Sequence, residues 1–264
     1  MPNRRAVLKS TAAGALVAVA GCVDRIGESI PDTEAGPDLF QADDTTPQPL
    51  DDTAVEQAGE VGRQVRESVV YLQTELGRGA LASGAGFVYG DGDHVITNAH
   101  NIQGSETFDL WTLDGEAYEA EVVDYVADRQ PDVALVRADG LDLDPLDSGS
   151  AEDLETGQPL LQVGHPSLMG NWVITAGPMA SSSRFRSGLQ THVPGMQGNS
   201  GSPLVTLDGQ VVGLTYGATS PDLRAPDEPP AGPPSDAANT RLVGRMMSLH
   251  VSIEAVNEQY TAWT

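Results

Sequence analysis

The chain has 264 residues, of which 38 are acidic and 14 are basic, so its formal net charge at pH 7 is −24. Nucleic-acid binding needs a basic patch, and this acidic excess argues against nucleic acid as a partner. The single cysteine, Cys22, excludes an internal disulfide, so the fold must be stabilised by core packing.

Residues 1–22 have the pattern of an export signal. The run Asn3–Lys9 resembles a twin-arginine signal, and the apolar stretch Ala12–Ala20 is shorter than the roughly 20 residues that span a bilayer as a helix. The stretch Val19-Ala20-Gly21-Cys22 resembles a lipoprotein processing site. We therefore expect a lipid on Cys22 that attaches the exported protein to the outer face of the cytoplasmic membrane. The alternative is a simple secretory signal and an extracellular protein.

The charge points to a salty environment. Loss of residues 1–21 would remove Arg4, Arg5, Lys9 and no acidic residue, which changes the net charge from −24 to −27 and leaves no lysine. Such a surface stays hydrated in molar salt, where the Debye length is about 3 Å and self-repulsion is screened. We expect a halophilic source, with an acidic protein from a moderate environment as the alternative.

Residues 23–60 are acidic and contain several prolines, a composition that cannot bury enough apolar surface to fold by itself. We expect an extended tether between the signal and a domain at 61–264. A short helix is predicted from near Thr53 towards Arg66.

From Val65 onward the pattern is all-β, because short apolar runs alternate with turns rich in glycine, aspartate and proline. This spacing predicts a barrel or a sandwich. The proline-rich stretch 220–235 is expected to be a loop, and 248–260 a closing helix. The predicted strands are Ser68–Leu72, Gly86–Tyr89, His94–Thr97, Thr107–Leu113, Ala120–Tyr125, Val133–Arg137, Leu160–Val163, Trp172–Ala176, Leu189–Val193, Pro203–Thr206 and Val211–Tyr216.

Three residues in chain order have the chemistry of a catalytic triad. His100 ends an apolar run, Asp132 begins one, and Ser200 lies in the glycine-framed turn 198–203. A serine hydroxyl needs a neighbouring base for attack, and a carboxylate fixes the tautomer of that base. Asp124 and Asp128 compete for the acid role, but only Asp132 directly precedes the apolar strand.

The serine turn also predicts an oxyanion hole, because Gly198 lets the amides of Gly198 and Ser200 converge on one point. An ordinary hairpin turn is the alternative for Gly198–Gly201. The Gly-x-Ser-x-Gly elbow of α/β-hydrolases does not fit, since Ser202 occupies the position of its last glycine. The four other histidines show no metal-ligand spacing, so neither a metal nor another cofactor is expected.

These motifs resemble the trypsin-like serine peptidases in their cysteine-free form. Thr97–His100 and Asp132–Val136 are most similar to HtrA-type proteases, and Asn199–Pro203 to glutamyl endopeptidases of the staphylococcal type. The resemblance covers about residues 65–260. It implies two six-stranded antiparallel β-barrels and a C-terminal helix, with His100 and Asp132 from the first barrel and Ser200 from the second. HtrA proteins usually continue into a PDZ domain, and none is expected before Thr264.

By the same resemblance, two segments form the first specificity pocket. The residues assigned to substrate binding are His192, Pro194, Gln197, Leu214, Thr215 and Tyr216. No acid lies in 192–197, which argues against Arg or Lys preference, and Thr215 stands where glutamyl endopeptidases have a histidine. A small or medium apolar side chain is expected, with His192 as an alternative anchor for glutamate.

The leading function is therefore hydrolysis of peptide bonds in protein or peptide substrates through an acyl-enzyme intermediate. The alternative is a catalytically inactive trypsin-like domain that acts as a binding or adhesion module. Presence of all three triad residues favours the peptidase.

Overall fold

The computed structural model describes residues 48–75, 81–102, 104–105, 107–166, 170–183, 188–218, 235–240 and 247–264. The export signal, Cys22, most of the tether and the proline-rich loop predicted at 220–235 lie outside these residues, apart from Ser235. Among the helices that are described, none has the length and apolar character needed to cross a membrane.

Helix α1, Asp52–Val65, corrects the predicted end of the tether. The Asp51 carboxylate accepts a hydrogen bond from Ala54 N at 2.8 Å and caps the helix. Its small residues face inward, and a Cβ on Gly62 would lie 2.6 Å from Ile174 Cγ2. Residues 52–60 are therefore part of the folded unit. The acidic composition predicted a tether there. The buried face of the helix consists mainly of alanine and glycine, so the sequence showed no strong apolar pattern. The predicted helix from Thr53 to Arg66 is confirmed.

Six strands form a first closed antiparallel barrel in the order β1-β2-β3-β6-β5-β4. Their bounds are β1 Val69–Glu75, β2 Leu81–Tyr89, β3 His94–Thr97, β4 Thr107–Trp111, β5 Ala117–Tyr125 and β6 Ala134–Arg137. A short helix, α2 at Ala99–Ile102, follows β3 and was not predicted. It carries His100.

Six further strands form a second closed barrel in the order β10-β11-β12-β9-β8-β7. Their bounds are β7 Pro159–Gly164, β8 Val173–Ser183, β9 Gly188–Thr191, β10 Pro203–Thr206, β11 Val211–Ala218 and β12 Ser248–Ser252. All eleven predicted strands overlap observed ones, and the predicted double barrel with a C-terminal helix is confirmed.

The closing helix was predicted to begin too early, at residue 248 rather than at Ile253. Residues 248–252 form β12, which pairs with both β11 and β9 and completes the barrel. Helix α3 covers Ile253–Trp263, and the Ser252 hydroxyl caps it by accepting from Ala255 N at 3.4 Å. The apolar residues of 248–260 suit either structure, and the unpaired edges of β9 and β11 decide in favour of a strand.

His165, just after β7, joins the second barrel to β1 of the first. Its Nε2 donates to the Val70 carbonyl at 3.1 Å, and its Nδ1 accepts from Trp172 N at 3.2 Å. The Trp172 indole donates to the Val69 carbonyl at 2.7 Å. Both ring nitrogens are used by a neutral imidazole, and burial lowers the pKa of His165 to about 4.

This buried histidine predicts a loss of stability in acid. The unfolded chain binds a proton below about pH 6.5, whereas the folded chain resists protonation until about pH 4, so the linkage removes roughly 3 kcal/mol across that window. His165→Leu abolishes this proton uptake. We expect the variant to be less stable than the parent at neutral pH and the gap to narrow by about that amount near pH 4. Urea unfolding in molar KCl measures the free energy of unfolding of the parent and of the variant at each pH. A difference between them that is independent of pH would contradict the low pKa assigned to His165.

Candidate active site

His100 and Asp132 lie side by side on the first barrel. His100 is the second residue of α2, which follows β3, and Asp132 lies just before β6. His100 Nδ1 is 2.5 Å from Asp132 Oδ2, and His100 N donates to Asp132 Oδ1 at 3.1 Å. A carboxylate only accepts, so the proton is on Nδ1 and Nε2 is left as the basic nitrogen.

The loop before β6 is fixed by a further contact. Asn98 Nδ2 donates to the Asp132 backbone carbonyl at 2.8 Å, so the residue carrying the carboxylate is bound at both its backbone and its side chain. Asp128, the sequence competitor, is exposed and accepts a hydrogen bond from the amide of Gln130. Asp124 is also exposed, and its carboxylate accepts from Tyr125 N.

Ser200 lies in the second barrel, but its backbone is bound to the first. Its carbonyl accepts from Ala85 N at 2.7 Å and from Asn101 Nδ2 at 3.0 Å. Asn101 directly follows His100, so the segment that carries the imidazole also holds the serine. Within the described residues, no hydrogen bond joins the Ser200 hydroxyl to the His100 ring. Such contacts in enzymes are often long without substrate and shorten when it binds.

The turn before Ser200 leaves two amides available. Asn199 N donates to the Met196 carbonyl at 3.0 Å, and Gly198 has a φ of +96°, which fits the third position of a type II turn. The amides of Gly198 and Ser200, on either side of that engaged amide, donate to no described residue. They are the pair that the sequence predicted for the oxyanion hole.

Residues 84–214 match the family model of the trypsin-like peptidase domain. The chain carries a trypsin-like peptidase domain. A protein of Halomonas elongata named as a probable periplasmic serine endoprotease, DegP-like, is 34% identical over 137 residues, which are 50% of this chain and 28% of that protein. Serine protease HTRA1A of Danio rerio is 32% identical over 162 residues, 57% of this chain and 33% of that protein. The chain spans about a third of the length of these curated relatives.

The fold has a close structural counterpart. An inactive form of Rv3671c from M. tuberculosis H37Rv superposes with a TM-score of 0.62 and 24% identity, covering 83% of this chain and 96% of that chain. The family-model match and the curated relatives confirm the resemblance to trypsin-like and HtrA-type proteins that the motifs indicated. His100, Asp132 and Ser200 all lie inside the matched range of the peptidase domain.

The residues predicted to bind substrate differ in their exposure. Gln197 is exposed and His192 is half-buried, whereas Pro194 is buried. Leu214 is fully buried in the core of the second barrel, and Thr215 is 2% exposed. The backbone of Leu214 is paired on both sides, with Pro203 of β10 and Val251 of β12. Tyr216 occupies the irregular position of β11 between the pairs formed by Thr215 and Gly217.

The backbone of Thr215 holds the far side of the nucleophile turn. Its carbonyl accepts from Gly201 N at 2.8 Å, and its amide donates to the Ser202 carbonyl at 2.9 Å. These two bonds attach β11 to the residues that immediately follow Ser200. Both backbone groups of Thr215 are thus engaged within the peptidase domain.

Some residues that contact the site were missed by sequence reasoning. Asn101 follows the histidine on a four-residue helix that no periodicity could reveal. Gln162 and His250 are buried polar residues inside strands, and both contact the Thr215 hydroxyl. Isolated polar residues in apolar strands were the only available signal, and the sequence alone does not say which of them meet.

One group of the peptidase domain has the residue types of a metal site. Asp91 and Asp93 lie in the turn between β2 and β3 and His94 begins β3, with their ligand atoms within 4.8 Å of one another. However, His94 Nδ1 is 2.5 Å from Asp91 Oδ1, and this pairing lowers the pKa of the Asp91 carboxyl. A hydrogen-bonded Asp–His pair explains the cluster without an ion.

Gly201 tests how tightly the nucleophile turn is packed. A Cβ there would lie 1.8 Å from the Ala85 carbonyl oxygen, at a φ of +92°. Gly209 has a similar φ of +86°, but its Cβ would have no contact closer than 4.0 Å, to Val61. We expect Gly209→Ala to cost about 1 kcal/mol through backbone strain and Gly201→Ala several kcal/mol more through the collision. Urea unfolding measures the difference, and equal losses would contradict close packing at Gly201.

Proposed function

We propose that this protein is a serine endopeptidase in which His100, Asp132 and Ser200 form the catalytic triad. The observation that carries the proposal is the pair of bonds from Asp132 to the ring and the amide of His100, on a segment that also holds the Ser200 carbonyl. The match to the peptidase-domain family supports it, because the family range includes all three residues.

In the proposed acylation, His100 Nε2 removes the hydroxyl proton of Ser200 while Oγ bonds to the carbonyl carbon of the substrate. The amides of Gly198 and Ser200 stabilise the resulting oxyanion, a contribution of about 3 kcal/mol for each donor. His100 then gives the proton to the leaving amine, and the C–N bond breaks to leave an ester on Ser200. Asp132 stabilises the imidazolium in between.

In the proposed deacylation, His100 removes a proton from a water molecule that attacks the ester carbonyl. The same two amides stabilise the second oxyanion. The C–O bond to Ser200 breaks, the serine recovers its proton from His100, and the carboxylic acid product leaves. No residue outside this set needs to supply or remove a proton.

The substrate is proposed to be a protein or peptide with a small or medium apolar side chain before the cleaved bond. The Thr215 hydroxyl donates to Gln162 Oε1 at 2.8 Å and accepts from His250 Nδ1 at 3.0 Å, so it has no proton left for a substrate carboxylate. Thr215 therefore provides no hydrogen-bond donor for the side chain of a substrate glutamate. The alternative function, an inactive binding module, predicts peptide binding without turnover.

The acid of the triad has a matched control in this chain. Asp132→Asn removes the acceptor that fixes the His100 tautomer, and we expect kcat to fall by about 10³-fold or more. Asp128→Asn makes the same change of charge, but on an exposed loop residue that has no contact with His100. The kcat of this variant should therefore remain within about twofold of that of the parent. Turnover of a labelled peptide in molar KCl measures both variants. A large loss at Asp128 with none at Asp132 would reassign the acid.

We further propose that the protein is exported and held at the outer face of the membrane by a lipid on Cys22. The relative from Halomonas elongata is named as periplasmic, which agrees with export. The support for lipidation is the run Val19–Cys22 and the absence of any other cysteine in the sequence. The export route is proposed to be the twin-arginine pathway, on the basis of Arg4 and Arg5.

The lipid anchor predicts a change of location in a single variant. Cys22→Ser removes the thiol that would carry the lipid, and the apolar stretch Ala12–Ala20 is too short to retain the protein by itself. We expect the variant in the medium and the parent with the membranes when cells of the native host are fractionated. Cys22→Ser protein that remains with the membranes would contradict the anchor.

The acidic surface supports a proposal that the protein functions in high salt. A net charge of −24, or −27 once residues 1–21 are removed, repels itself across a small folded unit. Among the basic residues that the structure describes, Arg66 is the one that is buried, and it pairs with Asp236 at 3.1 Å. No disulfide opposes expansion at low ionic strength.

Salt should therefore raise folding and activity together. Between about 0.1 M and about 2 M KCl, screening shortens the range of the repulsion and exclusion of salt strengthens apolar burial. We expect the circular dichroism signal of the folded state and peptide turnover to increase in parallel. A protein that is fully folded and most active at the lower concentration would contradict the halophilic proposal and leave the triad unaffected.

A further inference from the structure

A chain of hydrogen-bonded, buried polar side chains links four strands of the second barrel. It connects Gln162 on β7, Thr215 on β11, His250 on β12 and Thr191 on β9, and each of these is at most 2% exposed. Thr215 Oγ1 lies 2.8 Å from Gln162 Oε1 and 3.0 Å from His250 Nδ1. His250 Nε2 lies 2.9 Å from Thr191 Oγ1. Four of the six strands are thereby linked.

The donors and acceptors along this chain can be assigned from its ends. Gln162 Nε2 donates to the Pro194 carbonyl at 3.2 Å, so Oε1 is the acceptor of the Thr215 hydroxyl proton. Thr215 has one proton, so it accepts at its other contact, and His250 Nδ1 must carry a hydrogen. Burial lowers the pKa of His250 to about 3, and the neutral ring therefore accepts at Nε2 from Thr191.

The chain begins and ends at adjacent backbone groups. Val193 N donates to Thr191 Oγ1 at 3.3 Å, and the Pro194 carbonyl accepts from Gln162. The Val193 carbonyl also accepts from Ser248 Oγ at 2.8 Å. Every hydrogen bond runs in one direction from Val193 to Pro194, so the four side chains form a ring that closes on the segment just before the nucleophile turn.

The nucleophile itself has separate anchors. The Ser200 carbonyl is held by Ala85 and Asn101 of the first barrel, and the Thr215 backbone holds Gly201 through its carbonyl rather than its side chain. Loss of a side-chain hydroxyl from the ring leaves these bonds in place. The ring therefore holds the backbone of residues 193–194 and the side chain of Thr215 in place. Thr215 was assigned to the substrate pocket from the sequence.

We propose that His250 is a positioning residue that, through Thr191, Thr215 and Gln162, fixes both walls of the pocket that receives the substrate side chain. The inference rests on the proposed function, since it assumes that a peptide is bound beside Ser200. The ring holds the two walls at a fixed separation, and its failure weakens peptide binding more than it weakens the reactivity of Ser200.

Matched threonine variants test the proposal. Thr215→Val leaves His250 Nδ1 and Gln162 Oε1 without partners, and Thr191→Val does the same to His250 Nε2 and Val193 N, at nearly constant volume. We expect each to raise KM for a peptide by about tenfold or more, while kcat falls less. Thr215→Ser and Thr191→Ser retain the hydroxyl and should restore KM to within about threefold of the parent. The double Val variant should be no worse than the poorer single variant, because one break already opens the ring.

The reaction of Ser200 with a small fluorophosphonate, which leaves the pocket empty, separates positioning from simple stability. We expect labelling rates of the Val variants within about threefold of the parent. An unchanged KM, additive losses in the double variant, or a parallel loss of labelling and of folded protein would each overturn the proposal. Failure of the proposed function is distinguishable, because the parent itself would then neither react with the probe nor cleave peptide.

Discussion

The backbone carbonyl of Ser200 is the point on which the proposed active site depends. It belongs to the second barrel, yet it accepts from Ala85 N at 2.7 Å and Asn101 Nδ2 at 3.0 Å of the first. Asn101 is adjacent to His100, so these bonds set the position of the proposed nucleophile relative to its proposed base. Gly201 permits the approach, because any larger residue would collide with the Ala85 carbonyl. Displacement of one barrel would separate the triad while leaving the His100–Asp132 pair intact.

The sequence predicted the architecture because local patterns dominated it. Turn residues delimited the strands, and the flanks of His100, Asp132 and Ser200 indicated the family. The predictions were wrong where tertiary contacts determined the local structure. Residues 52–60 fold because an alanine and glycine face packs closely, as Gly62 does against Ile174, which composition cannot show. Residues 248–252 form a strand because β9 and β11 need a partner.

The candidate site was predictable from the sequence to about the same extent as the fold. Residue types and order identified three groups with complementary chemistry, and the structure brings His100 and Asp132 into direct contact. The supporting residues were not predictable, since Asn101 lies on a helix too short to have a pattern. His250 showed no metal-ligand spacing in the sequence, and no role was assigned to it. Its proposed role depends on Thr191 and Thr215, which are distant from it in sequence and meet it inside the closed barrel.

The most direct test of the account is to identify the residue that reacts with a fluorophosphonate probe. Peptide mapping of the labelled protein should place the adduct on Ser200, and Ser200→Ala should abolish both labelling and peptide turnover while the protein remains folded. Ser202→Ala is the matched control, because Ser202 is fully buried two residues away and should be dispensable for labelling. An adduct on another residue, or turnover that persists in Ser200→Ala, would contradict the assignment of the nucleophile.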